Sequence, residues 1–86
     1  MEIKKKTWPE FFEQIMSGKK KIEVRLADFD VTEGDILVLE EYNPETGEYT
    51  GRNIRKTVKF LTKFDPMKTY SEEQLKEYGL YLMEIE

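Results

Sequence analysis

Trp8, Phe11, Phe12, Ile15 and Met16 fall at i, i+3, i+4, i+7 and i+8 and form one apolar stripe at helical spacing. The pattern predicts a helix from about Trp8 to Ser17. Thr7 and Glu10 have the Thr-x-x-Glu spacing of a capping box, and Pro9 sits in the first turn, where its missing N–H is not needed. Gly18 then supplies a left-handed residue to end the helix. Beyond it the period changes to two. Ile22, Val24 and Leu26 alternate with Lys21, Glu23 and Arg25, which predicts a strand with one apolar face and one charged face.

The stretch from Ala27 to Glu33 reads as a loop with Phe29 and Val31 tucked inward, and Gly34-Asp35 as a turn into Ile36-Leu37-Val38-Leu39. That continuous apolar run predicts a strand buried on both sides. Tyr42-Asn43-Pro44-Glu45-Thr46-Gly47 is a turn signal, because Asn-Pro starts a turn and Gly47 can take positive φ. It should be the tip of a hairpin whose return strand carries Tyr49. Alternation resumes from Ile54 to Thr62 around Val58 and Phe60, and Lys63-Phe64-Asp65-Pro66 closes that strand. Ser71 and Gln74 form a second capping box, opening a short helix that Gly79 ends. Leu80 to Ile85 reads as the last strand.

About five strands with two helices cannot make a parallel sheet, which needs a crossover between every pair of strands. The economical solution is one α+β, mainly β domain spanning residues 1–86, a small mixed or mostly antiparallel barrel whose closure removes exposed edges. With 86 residues there is room for no second core.

Composition narrows the chemistry. The chain is 38% hydrophobic and 37% charged, and its apolar residues are periodic, which argues for folding rather than disorder. It has no cysteine, hence neither disulfides nor a thiolate metal site, and no histidine, the usual general base and metal ligand near neutral pH. No cofactor or metal is expected. Any catalysis must run on Lys, Glu, Asp, Tyr, Ser or Thr. No apolar run is long enough for a signal peptide or membrane span, so a cytoplasmic location is expected. A net charge of −4 argues against indiscriminate nucleic-acid binding, yet Lys4-Lys5-Lys6, Lys19-Lys20-Lys21 and Arg25 concentrate positive charge locally.

The residues Ser17 to Arg25 contain the pattern Gly18-x-Lys20-x-x-Glu23-x-Arg25. This pattern resembles the signature of the ASCH domain, a branch of the PUA-like barrels. In that family the motif follows the first helix and runs into a strand, and a Gly-Asp turn introduces a buried strand, as Gly34-Asp35 does here. Tyr78 to Ile85 resembles the family's closing strand. The whole chain is also similar to a small uncharacterised PUA-like family in which Glu40-Glu41-Tyr42 and the Gly47 to Gly51 segment recur. The resemblance implies a barrel with a cleft between the motif strand and the first helix, holding RNA, a nucleotide or a related small molecule. Known activities in the wider group include RNA binding or cleavage and amidohydrolysis of cytidine derivatives.

The residues themselves allow that chemistry and a simpler one. Glu23 and Arg25, two apart on a strand, share a face at roughly 6–7 Å. Arg25 offers a planar fork to a phosphate or carbonyl edge, and Glu23 can accept from an exocyclic amine. The simpler alternative is a strand-face ion pair worth about 0–1 kcal/mol. Strict alternation puts Lys20 with Ile22, away from Glu23, unless Lys20 lies in the turn after Gly18, where the helix dipole also favours a cation. Lys19 and Lys21 should face solvent. Trp8, Phe11 and Phe12 belong to the helix stripe and are expected in the core, although Trp8 in the first turn can sit on the cleft rim and stack a base. Tyr42 and Tyr49 can pair across the hairpin.

Three functions follow. The first is a binding module for RNA or a nucleotide-like small molecule, using Lys20, Glu23, Arg25 and Trp8. The second is a small amidohydrolase acting on an N-acylated cytidine-like substrate, with Lys20 as the activated amine and Glu23, or an acid from Glu72-Glu73, moving protons. Here the chain departs from the characterised type, which has Thr at the place of Glu23. The third is a protein-interaction adaptor, whose mark would be an exposed apolar patch away from the cleft.

Overall fold

Among the described residues seven elements follow one another: β1 (Glu2–Thr7), α1 (Pro9–Met16), β2 (Ile22–Leu26), β3 (Ile36–Asn43), β4 (Glu48–Phe64), α2 (Glu72–Glu77) and β5 (Leu80–Ile85). The computed structural model describes residues 1–64 and 71–86, so the Asp65-Pro66 stop signal lies outside the described residues. The strands form one mixed sheet in the order β1-β3-β4-β5-β2. β1 runs parallel to β3, and the other three pairings are antiparallel. The order starts at β1 and ends at β2, and among the described residues no strand pairing joins those two, so the sheet is mainly β and five-stranded without the closure expected of a barrel.

The two return segments expected after Gly47 and from Ile54 are one strand, β4, of 17 residues. It serves both halves of the sheet, pairing with β3 up to Thr57 and with β5 from Val58 onward. Register shifts between Glu40 and Tyr42 and between Val58 and Phe60 bend the ladder at each half, as bulges do. At the hairpin tip Gly47 takes φ 73°, and the Tyr42 and Tyr49 rings meet edge to face at 5.1 Å.

The core forms where the inward faces of β3, β4 and β5 meet α1: Leu37, Leu39, Val58, Met83 and Ile85 surround Ile15 and Val31. Val31 is buried from the loop, and Phe29 beside it packs edge-on to Tyr81 at 5.5 Å, as the loop's apolar residues require. The last helix is capped by Ser71, whose hydroxyl accepts from the Gln74 N–H at 3.2 Å and donates to Gln74 Oε1 at 3.1 Å.

Two expectations are corrected. Thr7 does not cap α1. It is the last residue of β1, the N-cap is Trp8 with no side-chain capping bond, and the buried Thr7 hydroxyl accepts from Arg25 instead. The apolar stripe of α1 is only half used: Phe12 and Ile15 are buried, while Trp8 is 49% and Phe11 40% exposed. A helix of eight residues lying on one side of a sheet can bury only the residues over the sheet.

The sequence left open which face of β2 points inward. Alternation ordinarily turns an apolar face inward, but here the charged face is the inner one. Glu23 pairs with Met83 and Arg25 with Tyr81 across the β2–β5 ladder, and Glu23 is 2% exposed. Ile22 and Val24, opposite Glu84 and Leu82, are 43% and 44% exposed.

An ionic contact outside β2 holds α1 to the sheet. Arg52 on β4 donates to both Glu41 oxygens at 2.9 and 2.8 Å, also bonds Glu13 of α1, and lies 5.0 Å from the Phe12 ring. The buried Glu41 further accepts from the Thr50 hydroxyl at 2.6 Å.

Candidate functional site

An inward-facing carboxylate needs partners, because an isolated buried charge costs several kcal/mol even after relaxation. Glu23 has two. Lys20 Nζ donates to its Oε1 at 2.8 Å and Arg25 Nε to its Oε2 at 2.9 Å. Gly18 makes the first contact possible. Its φ of 81° turns the chain back at the end of α1, and the Lys20 N–H then bonds the Gln14 carbonyl at 3.0 Å. Lys20 therefore sits in the turn and not in the strand, and its side chain reaches the face that strict alternation denies it. The motif acid and its two cations converge.

Arg25 does more than pair. Nη1 donates to the Lys6 carbonyl at 2.9 Å and Nη2 to Thr7 Oγ1 at 3.2 Å. Both partners lie on β1, so one guanidinium spans the gap between the two end strands of the sheet.

Around this bridge lies a recess of about 410 Å3. The triad Lys20, Glu23 and Arg25 lines it with Ile22 and Val24 on the β2 side, and Lys6, Thr7, Trp8 and Phe11 line it on the β1–α1 side. Trp8 and Phe11 stack with ring centres 6.3 Å apart and planes at 24°, and Lys20 Nζ lies 5.2 Å from the Phe11 ring. The volume falls in the range of small-molecule sites, which pair apolar walls with a few convergent polar groups. The charges of the triad sum to one positive. Lys6 carries its own ammonium over the Tyr42 ring, 4.4 Å from its centre.

All four residues singled out for ligand binding, Trp8, Lys20, Glu23 and Arg25, line this one recess. Lys19 and Lys21 face solvent, and Glu72 and Glu73, which open α2, are not among its lining residues. Three participants escaped the sequence reading. Phe11 could have been found as the i+3 partner of Trp8. The Thr7 hydroxyl has the spacing of a helix cap, which hides its role here. The Lys6 carbonyl is a backbone group and carries no residue-type signal. Among the described residues, no group of three or more His, Cys, Asp or Glu side chains is placed to hold a metal. No described helix is long and apolar enough to cross a membrane.

Residues 3–76 match the family described as a domain of unknown function (DUF3850), and the chain belongs to that family. No curated protein matches. Among solved structures, the fold is similar to the crystal structure of hypothetical protein PH0355, at 25% identity over 100% of this chain and 98% of that one, with a TM-score of 0.74. Neither description states an activity.

Proposed function

We propose that this is an ASCH-type, PUA-like binding module whose recess between β1, α1 and β2 holds RNA, a nucleotide or a related nucleobase-bearing small molecule. One observation carries this reading: Glu23 is buried beside core Met83, yet held by two cations that both line an open recess. A strand that needed only stability would turn Ile22 and Val24 inward. Leaving them out to seat an acid among its cations costs apolar burial, about 25 cal/mol per Å2, which a functional site explains. The stacked Trp8 and Phe11 rings, half exposed on the same wall, suit a planar base. Closure of the sheet into a PUA-like barrel would run through the seam that Arg25 bridges.

An NMR shift screen with nucleosides, nucleotides and short RNAs tests this. Perturbations clustered at Trp8, Lys20, Glu23 and Arg25 are expected, and a screen with no perturbation there defeats it. Incubation with acetylated cytidine separates an amidohydrolase from a binding module by the release of free cytidine.

A second reading, an adaptor for another protein, draws on the outer face of the sheet. Phe60 of β4, paired with Glu84 of β5, is exposed there and is not among the residues that line the recess. If that face is the functional one, Phe60→Glu abolishes partner capture while ligand shifts in the recess stay as they were.

A further inference from the structure

Glu23 has both carboxylate oxygens engaged by cations and almost no exposed surface, so it has no free face for a ligand's amine. The cations have capacity left. A guanidinium carries five N–H donors, and Glu23, the Lys6 carbonyl and Thr7 take three of Arg25's. An ammonium carries three, and Glu23 takes one of Lys20's. Among the described residues, two donors remain on each. The polar end of the recess therefore offers N–H donors and net positive charge, opposite an aromatic wall.

We infer that the triad grips an anionic phosphate of the ligand, and that Glu23 is a positioning residue, fixing Lys20 and Arg25 rather than reading the ligand itself. This rests on the recess being the binding site. Charge-assisted bonds from a guanidinium and an ammonium suit phosphate oxygens, which only accept, whereas an exocyclic amine would meet donors on both sides. Trp8 and Phe11 would then cover the base or sugar that carries the phosphate. That phosphate has two sources, a free mononucleotide or the phosphorylated end of an RNA strand.

Calorimetric titration at low salt separates the possibilities. A nucleoside 5′-monophosphate should bind at least about tenfold tighter than its nucleoside, the worth of one charge-assisted hydrogen bond. The preference should shrink at high salt. If the source is an RNA end, a 5′-phosphorylated trinucleotide binds better than the mononucleotide and loses the same factor when the phosphate is removed. If it is a free nucleotide, the trinucleotide gains nothing. Equal binding of nucleoside and monophosphate overturns the phosphate inference and leaves the recess as a site. Failure of every probe to bind overturns both.

The role of Glu23 is tested with Glu23→Gln, which removes a negative charge from the phosphate's neighbourhood. A mere bystander anion predicts tighter monophosphate binding in this variant. A positioning residue predicts weaker binding, by about tenfold for one lost charge-assisted contact, and tightening overturns the assignment. Should Glu23→Gln not fold by circular dichroism, Arg25→Lys serves instead. It keeps the charge and loses the fork, so monophosphate affinity falls if oriented donors matter and holds if only charge does.

Discussion

Arg25 of β2 donates through Nη1 to the main-chain carbonyl of Lys6 on β1 at 2.9 Å, joining residues 19 apart in the chain that lie at opposite ends of the sheet. The same guanidinium holds Glu23 from the side at 2.9 Å. Site and sheet edge are thus one construction: the group that keeps the seam together is also the group that lines the recess.

Arg25→Ala should therefore destabilise the fold as well as weaken binding. It removes one of two cations from a buried carboxylate and three hydrogen bonds at once, an expected loss of about 2–3 kcal/mol with Lys20 still in place. Urea unfolding measures it. An unchanged midpoint would mean that the guanidinium does not hold the seam.

Gly18→Ala isolates the backbone contribution to the site. Nothing lies within 4 Å of a Cβ built at Gly18, and φ is +81°, so the substitution meets strain without a clash. A cost of about 1–2 kcal/mol is expected from the left-handed conformation alone. Any relaxation of the turn also moves Lys20, so ligand shifts at Lys20 should weaken more than those at Arg25.

Trp8→Ala and Phe11→Ala should separate binding from stability. Both rings are about half exposed, so their loss should cost less thermal stability than loss of a fully buried ring. Loss of base stacking should cost about 1–3 kcal/mol of affinity for an aromatic ligand. Phe12→Ala is the contrast: its ring is fully buried, and about 3–5 kcal/mol of stability should go with it.

Stability should fall on acidification. Bonds from Arg52, then Thr50, hold the Glu41 carboxyl below its ordinary range, and the Thr32 backbone N–H, followed by the N-terminal ammonium, does the same for Asp35. A carboxyl depressed in the folded state leaves the unfolded chain to take the proton first. Its stabilisation is complete above the unfolded pKa of about 4 and is lost as pH falls through the folded value. Denaturation midpoints measured from neutral pH down to about pH 2 should drop along this limb, and Glu41→Gln should flatten it.

Local rules made much of this fold legible. Gly18 and Gly47 read correctly because a positive φ is a property of single residues, and both take it. The Ser71–Gln74 cap needs only three residues of spacing, and it forms. Leu80 to Ile85 forms the last strand at the bounds expected. The spacing from Thr7 to Glu10 obeys the same rule and still misleads, because β1 runs to Thr7 and Arg25 claims its hydroxyl from 18 residues away.

The order of elements, the turns, and the fact that Glu23 and Arg25 share a face were all decided along the chain, by spacing and backbone preference. Which way that face points was not. Alternation is symmetric between the two sides of a strand, and the choice came from β5, which sets Glu23 against Met83, and from Lys20 and Arg25, which neutralise the acid there. Bringing β1 within reach of β2 was likewise a matter of how the sheet curves, since no local pattern relates Lys6 to Arg25.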